Sequence, residues 1–264
     1  MSPNRQPSAA TSTVATRPVE ADRLSIRTLA LQLPHGTRLD PHAHAWPQLV
    51  YATHGVMTVE TEDGAWVVPS QRAVWIPAGV EHAVETTGSV RMRTLYVRPD
   101  LVTSLPGACA VIGVCPLLRE VILEGVRSAV LRDDVPAHVR LAAVIVDRLE
   151  STPEAPLVLE RPRDPRARRV AEVVLSDLAW RGTLADAARG VGASPRTIER
   201  LFVSETGLTF GRWRQRARML HALKRLAEGR SVTATALDVR YHGLSAFIGA
   251  FKRTLGDTPT RYWA

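Results

Sequence analysis

Apolar positions along the 264-residue chain follow two periods, and the change between them divides the molecule. From Leu24 to about Arg98 the apolar runs are short: Leu49–Tyr51, Val56–Val59, Ala65–Val68 and Ala73–Ile76. Turn residues separate them, at His54-Gly55, Asp63-Gly64, Pro69-Ser70 and Pro77-Ala78-Gly79. Strands of that length and spacing predict a β-sandwich or small barrel. From Pro116 the period lengthens. Leu117, Leu118, Val121, Ile122, Gly125 and Val126 fit one helix, and Val139, Ala142, Ala143, Val146 and Leu149 fit another. The predicted division is a disordered tail over 1–22, a β domain over 23–100, a helical connector over 101–150, a Pro-rich linker over 151–163 and an all-helical domain over 164–264.

The last region carries a repeated signal. A helix over Asp164–Trp180 precedes Thr183–Ala188, a short helix with a capping threonine and an acid at Asp186 to complete the box. Gly192 supplies a left-handed turn, and Ser194-Pro195 restarts the chain as N-cap and first helical residue. The next helix, Arg196–Glu205, buries Ile198, Leu201 and Phe202 and ends at Gly207. Phe202 and Gly207 recur 49 residues later as Phe251 and Gly256, whereas Ala188 recurs 48 later as Ala236. The second turn is therefore one residue longer. A helix over Phe210–Leu226, with Arg212, Arg214, Arg216 and Arg218, joins the units. Two helix-turn-helix units on one rigid helix can address successive major-groove segments of DNA.

Charge sharpens this. Residues 163–264 hold 19 Lys+Arg against 9 Asp+Glu, while residues 1–162 hold 15 against 17. A basic domain beside a nearly neutral one implies a polyanion partner for the basic part. Only Lys224 and Lys252 among the basic residues are lysines, so arginine enrichment is general, but its concentration in one half is not. Cys109 and Cys115 lack the spacing of a redox or zinc motif and read as small apolar residues of a reducing cytoplasm. No apolar run approaches the ~20 residues that span a bilayer, and Met1–Glu20 lacks the apolar core of a signal peptide.

The C-terminal hundred residues resemble the AraC/XylS family of bacterial transcription regulators. The carriers are Ala193-Ser-Pro-Arg-Thr-Ile-Glu-Arg-Leu-Phe202 with Thr206-Gly207, and Ala236-Leu-Asp-Val239 followed by Ser245-Ala-Phe-Ile-Gly-Ala-Phe251-Lys-Arg-Thr-Leu-Gly256-Asp-Thr-Pro259. The family usually has glycine where this chain has Arg240. Arginine in a left-handed turn is strained by about 1 kcal/mol, so either the turn is built differently or Arg240 bears the strain while reaching a phosphate. Arg196, Thr197 and Arg200 are the candidate DNA readers of the first unit, the arginines by donating to guanine O6 and N7. The second offers Ser245 and, for phosphates, Lys252, Arg253 and Arg240. Pairing of Arg200 with Glu199 or Glu205 is the structural alternative.

The N-terminal histidines have a pattern of their own. Gly36-x5-His42-x-His44-x3-Gln48-x6-Gly55 is followed by Pro77-x-Gly79-x2-His82, which resembles the two motifs of the cupin β-barrel. Histidines at i and i+2 on a strand share one face. His42, His44 and His82, with Gln48 as a weak fourth group, are candidate ligands of a divalent metal. The cupin motif's glutamate is Gln48 here, its opening glycine is Gln71 and its late asparagine is Thr86. The alternatives are pocket residues touching an effector, or structural histidines. His42, His44, Trp46, Gln48, Tyr51, Trp75 and His82 form the candidate ligand-binding set.

The expected architecture is α+β multidomain: a cupin β-barrel (jelly-roll), a helical connector and a C-terminal all-α tandem helix-turn-helix domain. Combined in one chain these parts resemble a subgroup of regulators that often control neighbouring transporter or efflux genes. The expected function is a cytoplasmic, sequence-specific DNA-binding regulator, not an enzyme, with a small-molecule effector. Double-stranded DNA, RNA polymerase and a second copy of the chain are its candidate partners, with no membrane. Leu117, Leu118 and Val121 are candidate dimer-seam residues, or core. The rival is a metal-dependent cupin dioxygenase or isomerase with a helical extension.

Overall fold

A computed structural model describes residues 23–151, 157–178, 180 and 182–262; the tail expected over 1–22 lies outside them. Among the described residues nine strands and eight α-helices follow in the order β1 (Leu24–Leu33), β2 (Arg38–His42), β3 (Gln48–Glu60), β4 (Gly64–Pro69), β5 (Arg72–Ile76), β6 (His82–Val97), β7 (Ala110–Gly113), α1 (Pro116–Ser128), β8 (Val130–Arg132), α2 (Pro136–Glu150), β9 (Val158–Glu160), α3 (Pro165–Ser176), α4 (Leu184–Gly190), α5 (Pro195–Thr206), α6 (Phe210–Ala227), α7 (Val232–Asp238) and α8 (Leu244–Leu255).

The long strands β3 and β6 pair antiparallel throughout and bend midway, so each belongs to two layers. Their Gln48–Ala52 and Met92–Tyr96 halves continue outward as β7-β5-β3-β6-β1-β8. Their Val56–Glu60 and Ala83–Thr87 halves carry β4 and β9 on one side and β2 on the other. The bend has a local cause. Register shifts flank His54, and Gly55 (φ +82°) and Gly88 (φ +75°) take left-handed conformations there. A side chain on Gly55 would sit 2.4 Å from the Ser89 carbonyl oxygen. The sheet folds over itself without closing, which is compatible with a jelly-roll.

Strand alternation assigns the two faces. Leu49, Tyr51, Ala73, Trp75, Leu95 and Val97 form a core with Leu118 and Ile122 of α1 and Ala142, Ile145 and Leu149 of α2. Val50, Ala52, Val74, Ile76, Val84 and Met92 point the other way, into the space between the layers. Leu118 is thus core, while its neighbour Leu117 is exposed.

The sheet is completed from beyond residue 100 by β7, β8 and β9, strands of three or four residues. The segment expected to be a linker contains β9, which pairs with β4 through Gly64↔Glu160, Ala65↔Leu159 and Trp66↔Val158. The helix expected over Asp164–Trp180 ends at Ser176, with Asp164 accepting from the Arg166 amide as N-cap. Thr183 and Asp186 make the expected capping box, Ser194 caps α5, and Gly207 (φ +67°) ends it in a left-handed turn.

Candidate effector pocket and DNA interface

His42 and His82 are cross-strand partners on β2 and β6, and His44 lies on the loop after β2. The ring centroids lie 4.9 Å (His42–His44), 4.4 Å (His42–His82) and 5.4 Å (His44–His82) apart. One nitrogen from each falls within 4.8 Å of the others. His42 Nδ1–H donates to the Asp40 carbonyl (2.6 Å) and His82 Nδ1–H to the Val80 carbonyl (3.0 Å), which leaves both Nε2 lone pairs free. The buried Nε2 atoms of His44 and His82 have no protein partner among the described residues. Burial, then His42 and His82, pulls the His44 pKa down to about 4, and burial also lowers that of His82. Both are therefore neutral near pH 7 and able to ligate without losing a proton.

Gln48 comes to the same interior from β3. Its Nε2 donates to Thr94 Oγ1 (2.9 Å) and Tyr96 Oη (3.2 Å), while its buried Oε1 has no partner. The Tyr96 ring stands edge-on to His44 at 4.7 Å. Tyr96 was not singled out in the sequence; the Thr94-x-Tyr96 alternation opposite Gln48 is the signal that points to it.

Two candidates from the sequence do not reach the histidines. Tyr51 and Trp75 pack beneath α1 and α2, because they differ by an odd number of residues from the inward-facing Gln48 and Ile76. Trp75 Nε1–H donates to the Pro106 carbonyl (3.2 Å), and both residues are core rather than pocket wall. Trp46, two residues beyond His44, is half-buried, with the Arg27 guanidinium 4.6 Å from its ring centroid.

In the helical domain the two units share one turn. Gly192 (φ +64°) and Arg240 (φ +66°) have the same left-handed backbone. The next amide closes each turn: Ala193 N–H to Ala188 O (3.0 Å) and Tyr241 N–H to Ala236 O (2.8 Å). The second turn is thus built like the first, and Arg240 bears the strain. It is exposed. The extra residue lies after the turn, where Gly243 caps α8 without a side-chain bond.

Arg196 and Arg200 are exposed one turn apart on α5, and neither has an acidic partner among the described residues. Glu205 instead accepts from the Arg163 and Asp164 amides (2.7 and 3.1 Å). Thr197 is spent locally: its amide and hydroxyl both contact Ser194 Oγ. Ser245, Lys252 and Arg253 are exposed on α8. Arg214 and Arg218 of α6 serve the fold, whereas Arg212 is exposed. Arg214 donates to the Gly182 carbonyl (3.0 Å), and Arg218 to those of Leu178 (3.0 Å) and Trp180 (3.2 Å).

The two domains meet along α6. Glu160 of β9 accepts from Trp213 Nε1 at its carbonyl (2.8 Å), and its carboxylate pairs with Arg216 (3.3 Å). Arg163 pairs with Asp63 (2.8 Å). Burial lowers the Lys224 pKa, while Glu85 and Glu60 of the β domain act the other way.

A ligand-binding β domain joined to a tandem helix-turn-helix defines a transcriptional regulator that binds DNA and a small-molecule effector. Known proteins agree. The model described as AraC-like ligand binding domain matches residues 29–158, and that described as helix-turn-helix domain matches 187–264. The chain is 37% identical over 223 residues to the HTH-type transcriptional regulator NimR of Escherichia coli K12, covering 84% of this chain and 81% of that one. It is 34% identical over 122 residues to the regulator RipA of Corynebacterium glutamicum, covering 46% of this chain and 35% of that one. A crystal structure of Vibrio cholerae ToxT with bound unsaturated fatty acid is similar at a TM-score of 0.39 and 11% identity, over 90% of this chain and 95% of that one. The chain belongs to the AraC family of transcriptional regulators. No helix among the described residues is long and apolar enough to cross a membrane.

Proposed function

We propose that the regulator senses its effector between the two β layers, at His42, His44 and His82, and passes the signal to DNA through β9 and α6. The observation that carries this is Glu160. It is hydrogen-bonded into the sheet opposite Gly64 and gripped by Trp213 and Arg216 of the helix that joins the two DNA-binding units. An effector that favours one arrangement of the layers therefore biases α6, to the extent of its differential affinity for the two states.

The donor set suits a divalent ion. Three convergent imidazoles have Nε2 free, two are oriented by backbone carbonyls through Nδ1, and the unpartnered Gln48 Oε1 stands alongside. A bound ion would supply a Lewis-acidic point that orients the effector. Arg196 and Arg200 read base edges, and Lys252, Arg253 and Arg240 hold phosphates, with Ser245 at the start of α8 beside them. The protein works in the cytoplasm as a homodimer through α1 and α2, where Leu117, Val139 and Val144 are exposed, and it contacts RNA polymerase at its promoters. A gene for a transporter or a metabolic enzyme next to its own is the favoured target.

Footprinting upstream of its own gene and of the adjacent operon, with and without divalent metal, tests the proposal. Two protected segments one helical turn apart are expected. Stoichiometric redox metal with substrate turnover and no selective protection would establish the dioxygenase or isomerase alternative instead.

A further inference from the structure

Among the described residues the histidine cluster includes no acid: it groups three imidazoles, and the neutral amide of Gln48 stands where a carboxylate would compensate charge. Imidazole and amide are neutral donors, so a divalent cation there keeps both positive charges until an outside anion arrives. An exposed cationic side chain on the adjacent strand β1 is linked to this cluster through Tyr96 and Trp46. Arg27 of β1 is the cross-strand partner of Tyr96, and directly opposed partners project from the same side of a sheet. Tyr96 in turn has its ring 4.7 Å from that of His44. The Arg27 guanidinium lies over Trp46, two residues beyond His44, at 4.6 Å. Stacking on an indole holds a guanidinium in place and leaves its N–H fork available. Arg38, Arg98 and Arg132 of the same domain each hold a carboxylate. Arg27 makes no ion pair among the described residues. Beyond the polar end, Leu31, Leu33 and Leu39 are half-buried against the core between the layers.

Resting on the pocket assigned above, we infer that the effector is an organic carboxylate. One carboxylate oxygen is directed to the histidine cluster and its ion, the other accepts from the Arg27 guanidinium, and an apolar body lies along Leu31, Leu33 and Leu39. Three neutral imidazoles alone would not choose an anion. The choice comes from the uncompensated ion together with an arginine that a tryptophan positions and no protein acid neutralises.

The test uses the full-length protein loaded with Co2+ and titrated with benzoate or its neutral isostere benzamide, read by the Co2+ d–d bands and by calorimetry. Benzoate is expected to shift the bands and to bind at least about tenfold more tightly than benzamide. Arg27→Gln should weaken benzoate by about tenfold and leave coordination of imidazole unchanged, and Arg27→Lys should restore part of the loss. Equal binding of benzoate and benzamide, undiminished benzoate binding by Arg27→Gln, or imidazole coordination without any benzoate binding overturns the inference. Repeating the calorimetry after chelation separates the two claims. Absence of Co2+ bands with Arg27-dependent benzoate binding intact removes the metal and keeps the carboxylate.

Discussion

The two helix-turn-helix units have the same turn and different surfaces. Gly192 and Arg240 differ by two degrees in φ, and the same amide-to-carbonyl bond closes both turns. The first unit presents Arg196 and Arg200 from a capped helix, and its core is shared with Phe210 and Trp213 of α6, which leads directly to β9. The second starts α8 at an uncapped Gly243, exposes Leu244, Ser245 and Ala246, and carries its charge at the far end in Lys252 and Arg253. A backbone motif can therefore be duplicated intact while the chemistry on it diverges. On the reading proposed above, the copy that packs against the sensor's partner helix α6 reads bases and the other clamps phosphates.

The largest effects should strike both copies alike. Phe202→Ala and Phe251→Ala each remove a fully buried ring from the middle of a unit and should each cost about 3–5 kcal/mol in denaturant unfolding. A much smaller loss for Phe251→Ala would mean that the second unit is loosely packed. Next comes the division of labour. Arg196→Ala should cost about 1–3 kcal/mol of discrimination at one operator base pair in competition binding with operator variants. Lys252→Ala should weaken all sites alike and reduce the salt slope of binding by about 1. A Lys252→Ala protein with relaxed sequence preference would reverse the roles assigned here.

Smaller effects probe the turns. Gly192→Arg copies the second turn into the first. A Cβ there meets no atom within 4 Å, so the expected cost is that of the left-handed backbone, about 1 kcal/mol in thermal or urea unfolding. The reverse change, Arg240→Gly, relieves similar strain but frees the unfolded chain, so its net effect on stability should stay below about 1 kcal/mol. Its DNA affinity should nevertheless fall, with a shallower salt dependence. Unchanged affinity would show that Arg240 is strained without contacting phosphate.

Legibility in the sequence followed the range of the interactions. The first unit was readable almost residue by residue, because Thr183, Asp186, Ser194, Pro195 and Gly207 act on amides within four positions of themselves. The convergence of the histidines was readable only in part: His42 and His82 meet as cross-strand partners, but His44 lies on the loop after β2, not on the strand that its spacing from His42 predicts. Tyr51 and Trp75 were misplaced because proximity to a motif in sequence says nothing of which face a side chain takes, and alternation puts them under α1 and α2. Arg27 went unnoticed because its neighbours Tyr96 and Trp46 come from elsewhere in the chain.

What the sequence determined by itself is the pair of helix-turn-helix units, their caps and their one-residue difference, because capping, glycine turns and a helical period are local physics. Only the tertiary structure decided that Arg240 adopts the same turn as Gly192, that Glu160 joins the sheet while α6 holds it, and that Arg27 stacks on Trp46 opposite Tyr96. Each of these depends on groups that are brought together only when distant strands and helices pack, and a strand as short as β9 has too few residues to declare a period before that packing occurs.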